Sequence, residues 1–210
     1  MNKIKLKKYT NKYNGMRKRK LFLILLVMII ISIILGILYL AIIDKSGKSL
    51  VKNTVFDYIK GFSGSFDVKK ELILSLKNNV ILTLVMWFLG VSLFGVLFEI
   101  IFLAMKGFTL GFSISAMIYT FKLKGLYIGL IYLLPSIFNM IVYFILGFFA
   151  VNYSIYLYKY LFKNKDINLK YLMKKYLKVL LISLVLLIVS SIVEVFIVPN
   201  VLKLFTKTLF

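Results

Sequence analysis

From Leu21 to Ile43 the chain runs for 23 positions without a charged residue. A bilayer hydrocarbon core of about 30 Å is crossed by about 20 apolar residues in a helix, so this stretch alone is long enough to span. A cleaved leader would have an apolar region of about 7–15 residues ending at small residues. This run is longer and closes on "LYLAIIDK", so it reads as a retained anchor. The rest of the chain is built the same way. Hydrophobic residues make up 61% of it, with a mean hydropathy of +0.96, against about 45–50% apolar in soluble domains. An integral membrane protein is expected: all-α, a polytopic helical bundle of about five transmembrane helices.

The net charge of +21 raises nucleic acid as a partner, but its placement argues otherwise. Nine of the 28 cations lie in residues 1–20 and seven between Lys159 and Lys178, each group beside an apolar run. Cytoplasmic flanks of membrane spans carry such an excess, and anionic lipid headgroups rather than nucleic acid are the expected partner. The chain has no cysteine and no histidine. Disulfides and thiolate metal sites are thereby excluded, and so are a Ser–His dyad, an H-E-x-x-H site and a histidine base. No Gly-rich phosphate loop appears either. No catalytic residue, metal site or cofactor is expected, and the chain reads as a protein that is not an enzyme.

Along the sequence, residues 1–20 form a basic cytoplasmic tail and 21–43 the anchor. Residues 44–78 form a polar extracytoplasmic segment with turn signals in "KSGKS" and "KGFSGSFD". Within it Val51, Val55, Phe56 and Ile59 recur at helical spacing, which predicts an amphipathic helix on the membrane surface. The membrane bundle, 79–198, is expected to contain runs at 79–105, 107–121, 125–158 and 179–198, followed by an amphipathic C-terminal tail, 199–210. The 107–121 run is short for a crossing. It either completes five spans or folds back as a re-entrant hairpin. The charge of the flanking segments favours five spans with the N-terminus inside and the C-terminus outside. In the fourth run, Pro135 removes the hydrogen bond to the Ile131 carbonyl, which predicts a kink or break there.

Small and polar residues are the candidate sites. Gly107, Gly111 and Ser115 share one helix face, and Gly125 and Gly129 repeat the spacing across the Lys122–Lys124 turn. Lipid supplies no hydrophobic force between helices, so such rows mark close backbone approach. They predict packing of the third run on the fourth, or else a dimer face. Asn78 and Asn79 open the second run and are read as a helix cap at the interface, or as groups facing a partner. Glu99 and Glu194, the latter just before Pro199, are the intramembrane carboxylates. A charge at mid-bilayer costs about 2.5–3.5 kcal/mol on insertion scales and marks a functional candidate. Each could line a proton or ion path, or pair with a lysine or tyrosine near an interface. From the residues alone two functions stand: a scaffold that docks other proteins, or a permease or channel using Glu99 or Glu194 beside a helix broken at Pro135.

In "KNNVILTLVMWFLGVSLFG", "LAMKGFTLGFSIS", "YLLPSIFNM" and "SSIVEVFIVPNVLKLFTKTLF" the chain resembles the stage II sporulation protein M family, over nearly its whole length. The wider family tends to show Pro-His-Gly-x-x-Glu where this chain has Pro135, Ser136, Ile137 and, further on, Asn139. The missing His and Glu speak against any activity tied to that motif. The resemblance implies a scaffold in the mother-cell membrane at the sporulation septum. It would anchor two peptidoglycan-degrading partners, stage II sporulation proteins D and P, during septal thinning and engulfment. It also implies that Glu194 is a packing or docking carboxylate near the outer face.

Overall fold

The computed structural model describes residues 3–61, 67–162 and 168–209, and all the elements it contains there are helices. The expected turns within 62–66 and around Lys165 and Asp166 lie outside the described residues. The five helices in chain order are α1 (Lys3–Ile42), α2 (Lys45–Gly61), α3 (Val68–Gly90), α4 (Gly95–Phe162) and α5 (Leu169–Leu209). The basic tail is thus the first part of α1. Most starts have a local chemical cause. Asp67 caps α3, accepting hydrogen bonds from the Lys69 and Lys70 amides at 3.1 and 3.2 Å, with Glu71 in the first turn. A carboxylate there satisfies otherwise orphaned amides and complements the helix dipole. Asn168 serves α5 in the same way, accepting from the Tyr171 amide at 3.0 Å. Ahead of α2, Asp44 accepts from the Gly47 amide at 3.0 Å and from the Ser46 hydroxyl. These bonds, the serine's first, hold its exposed carboxyl below the usual carboxylate range.

At 68 residues, α4 is far too long for one crossing, since a straight helix of that length would reach about 100 Å. It folds back on itself at Lys122 (φ 53°, ψ −127°), the one non-helical residue inside it. A side chain rarely occupies that backbone region, which costs about 1–3 kcal/mol. The first arm, 95–121, then lies antiparallel to the second, 123–162: Gly125 meets the Met117 backbone near the fold, and Gly147 meets Leu103 further along. α3 enters the same face of the bundle as the Lys122 fold and turns back at 91–94 into the first arm. α5 runs antiparallel to the second arm, with Tyr153 stacked on Tyr176 at 5.7 Å near one end and Ser190 donating to the Pro135 carbonyl at 3.2 Å toward the other. The chain therefore traverses the bundle five times.

Several expected boundaries move. Residues 79–105 are not one span: Val91–Phe94 form a turn between α3 and α4. The turn is apolar, so composition conceals it. Its Ser92 hydroxyl donates to the Leu89 carbonyl at 2.7 Å, and Ser154 on the second arm donates to the Ser92 and Leu93 carbonyls at 2.8 and 3.1 Å. The third traverse is accordingly the 95–121 arm with Lys106 in its interior, not the short 107–121 run. Residues 68–78, assigned to the outer segment, are the first three turns of α3. At Pro135 the helix does not break; within α4 the backbone leaves helical geometry at Lys122 instead. The C-terminal tail is no separate element either, as α5 continues through Pro199 to Leu209.

Packing follows the small residues, with one correction. Gly107 and Gly111 face α1 rather than the fourth run: a Cβ at Gly107 would lie 3.1 Å from the Ile29 carbonyl oxygen and from the Ser32 Cβ, and one at Gly111 would strike the Ile33 backbone. Gly36 on α1 reciprocates against Phe108 and Phe112. α1 thus runs parallel to the first arm and antiparallel to the second, where Phe22 meets Phe144 edge-on at 5.0 Å. Gly125 and Gly129 face the first arm, at Met117 and at Ile114. Ser115 closes its own helix, donating to the Phe112 carbonyl at 2.9 Å. The main core gathers Leu25, Met86, Leu103, Leu146 and Leu187. A second cluster joins Ile59 of α2 to Met117, Ile128, Val198 and Leu202, so α2 covers the end of the bundle that holds the Lys122 fold. Outward-facing apolar residues such as Ile182, Val185 and Leu186 complete a surface suited to lipid,.

Candidate polar cavity within the bundle

Polar residues recur at helical spacing on three helices: Ser75, Asn78 and Asn79 on α3; Lys106, Thr109 and Ser113 on the first arm of α4; and Tyr132, Ser136, Asn139 and Tyr143 on its second arm. Residues three or four apart lie on one helix face, so each set forms a stripe. The fold turns the three stripes toward one another and adds Glu194 from α5. They enclose a cavity of about 490 Å³. In lipid, polar side chains are sequestered in this way, facing the bundle interior or a cavity.

Asn79 is the hub of the cavity wall. It is buried eleven residues into α3, so it is not a cap; Asp67 caps that helix. Its amide nitrogen donates to the Ser191 hydroxyl at 2.9 Å, and its amide oxygen accepts from the Tyr143 hydroxyl at 3.2 Å. One side chain thus ties α3 to both α5 and the second arm. The Thr83 hydroxyl, donating to the Asn79 carbonyl at 2.8 Å, turns its polar end back into α3. Asn78, its neighbour, also lines the cavity but is exposed at its rim.

The two carboxylates part company. Glu194 is half-buried, lines the cavity, and accepts from the Ser75 hydroxyl at 2.7 Å. It also borders a second cavity of about 260 Å³ roofed by Tyr58 and Gly61 of α2 and reaching Pro199. Glu99 is 1% exposed, lies outside both cavities, and has no hydrogen-bond partner on either oxygen. The ammonium of Lys106 lies over the rings of Phe102 and Tyr143, 5.6 and 5.3 Å from their centroids, a favourable cation–π geometry. Pro135 is buried and borders the smaller cavity.

Of the sequence candidates, the fold brings Asn78, Asn79, Glu194 and Pro199 to these cavities, and places Gly107, Gly111, Gly125 and Gly129 at helix contacts. Lys106, Asn139, Tyr143 and Ser191 are not among the candidate site residues read from the sequence, where Asn139 enters only as part of the departure from the Pro-His-Gly-x-x-Glu pattern. The signal available for the first three was the three-and-four spacing of polar residues through otherwise apolar runs. Among the described residues no cluster of acidic side chains is placed to hold a metal ion.

An all-α bundle with helices long and apolar enough to cross a membrane, enclosing a polar cavity, defines a polytopic membrane protein. The family model for stage II sporulation protein M matches residues 22–199, and the chain belongs to that family. The match includes α2 and every wall of the cavity. No curated protein and no solved structure matches the chain. It is a membrane protein of a sporulation family.

Proposed function

We propose that this protein is a membrane scaffold for the peptidoglycan-degrading machinery of engulfment in endospore formation. In this reading it sits in the mother-cell membrane at the septum and anchors the lytic partners, stage II sporulation proteins D and P. It cuts no wall itself. The observation that carries the reading is the family match over residues 22–199. It is supported by α2, which packs Ile59 into the second core cluster while Lys45, Leu50 and Lys52 remain exposed at the end of the bundle. An amphipathic helix fixed by one face leaves the other free for a partner.

Co-purification tests this directly. Deleting residues 45–61 should reduce recovery of protein D or P with the chain while leaving it in the membrane. Unchanged recovery of both would remove α2 as the docking element. Purified chain that hydrolysed peptidoglycan alone would remove the scaffold reading. The cavity gives a second reading some support, a permease or channel in which Glu194 lines the path. Under it, solute flux into sealed liposomes should occur and stop with Glu194→Gln.

A further inference from the structure

We propose that the cavity among α3, α4 and α5 is a binding site for a zwitterionic group, one carrying an ammonium and an anion together. The inference rests on the cavity and stands apart from the scaffold reading. Its volume of about 490 Å³ falls within the range of about 300–1,000 Å³ typical of small-molecule sites.

Three observations point to an occupant and to its charge. First, the Asn139 side-chain oxygen is buried at the cavity wall with no hydrogen-bond partner, and a buried acceptor left unpaired costs about 1–3 kcal/mol. Rotation of that amide toward the cavity would let a ligand's donor relieve the cost. Second, the walls carry one charge of each sign: Lys106 from the first arm and Glu194 from α5. A simple anion would suit Lys106 and be repelled by Glu194, and a simple cation the reverse. A dipolar group satisfies both, its anion toward Lys106 and its ammonium toward Glu194, with Asn139, Thr109 and Ser113 for its remaining polar atoms. Third, the cavity has a side opening. Residues 75–82 of α3 and 106–113 of the first arm both contribute to its lining, and Thr109 among them is exposed. At that rim Asn78 and Ile81 are exposed to the surroundings of the bundle. A group arriving from the lipid phase or from the α2 end has a path in.

The same chemistry has two sources, the headgroup of an aminophospholipid or a small free zwitterion, and one probe serves for each. Native mass spectrometry of the full chain, released from nanodiscs containing equal phosphatidylethanolamine and phosphatidylglycerol, should show one retained phosphatidylethanolamine. Lys106→Gln and Glu194→Gln should each weaken retention about tenfold, as loss of one charge-assisted contact does. If the natural source is a free solute, phosphoethanolamine should instead raise the melting temperature of wild type in phosphatidylglycerol nanodiscs, and the same variants should abolish the shift. Should either charge variant fail to fold, Ser113→Leu, which crowds the cavity without touching its charges, must show the same losses. Equal retention of both lipids with no response to phosphoethanolamine would overturn the proposal. So would variants that bind like wild type, or cavity variants whose only defect is lost co-purification of a partner's transmembrane segment.

Discussion

Replacing Glu99 by methionine should make this protein more stable. The Glu99 side chain is 1% exposed, and neither carboxyl oxygen has a hydrogen-bond partner. It lies against Gly147, where a Cβ would sit 3.2 Å from its Oε2, and within the core that contains Leu103, Leu146 and Tyr176. A buried polar group without a partner costs about 1–3 kcal/mol. Methionine is similar in length, unbranched and able to adapt to an irregular space, so it removes the cost without opening a void. A gain of about 1–3 kcal/mol would raise the melting temperature by roughly 2–12 °C at this chain length. Glu99→Ala should do the opposite, because the cavity it leaves outweighs the relief, at about 2–5 kcal/mol for large-to-small changes in a core. Glu99→Gln should gain little, since it exchanges unpartnered acceptors for unpartnered donors. The chain's one tryptophan, Trp87, stacks on Tyr176 at 5.9 Å, so its fluorescence on heating in detergent reads this region. A methionine variant that melts below wild type would refute the argument and show that Glu99 is held by a contact outside the monomer. Raised stability with lost sporulation would mark the carboxyl as kept for function at a cost to folding.

The remaining expectations concern packing, topology and pH. Gly111→Ala should lower the yield of folded protein, because its Cβ would strike the Ile33 backbone; Gly129→Ala should be neutral or mildly stabilising, because its nearest neighbour, Ile114, would be 3.8 Å away, and alanine is the better helix former. Since the chain has no native cysteine, single cysteines at Leu123 and Phe94, which are 80% and 68% exposed, should label from opposite sides of the membrane. Labelling of both from one side would contradict the turn at 91–94. Asp44 has a carboxyl held below its usual range by Ser46 and Gly47. Its contribution to α2 is therefore fully present above the ordinary carboxylate value and is lost as pH falls through the lowered one. Protection of the Gly47 and Lys48 amides from hydrogen exchange, corrected for intrinsic rates, should fall in acid, and Asp44→Asn should show the acid behaviour at neutral pH.

What was legible in the sequence is what lipid enforces directly. The run from Leu21 to Ile43 declares a span because any charge within it would cost free energy, and Val55 and Ile59 betray α2 by spacing alone. Boundaries hidden from composition were missed. The 91–94 turn is as apolar as the helices it joins, and only Gly90, Ser92 and Gly95 mark it; a Cβ at Gly95 would lie 2.9 Å from the Gly90 Cα. The expected gap between the 79–105 and 107–121 runs falls at Lys106, which misled in the other direction. A lysine in an apolar run reads as an interface, but here its ammonium finds two aromatic faces and a polar cavity, so the helix carries it through the interior. Pro135 likewise suggested a break that the chain makes at Lys122.

The partners of Gly107 and Gly111 could not be read for a different reason. Spacing shows that a helix face is flat, but not which neighbour uses it, and the choice of α1 over the second arm is settled by Gly36 on the opposing face. The cavity combines both kinds of difficulty. Its stripes are periodic and therefore visible, yet each is only a scatter of hydroxyls and amides in its own helix. They acquire meaning when the folds at 91–94 and Lys122 turn three of them inward against Glu194. A scaffold that served only as an anchor would gain stability from leucine at most of those positions, because polar groups held within a membrane bundle are a net cost unless satisfied. That this chain places an unpaired amide oxygen and one charge of each sign around the same space is the physical ground for assigning the space a ligand.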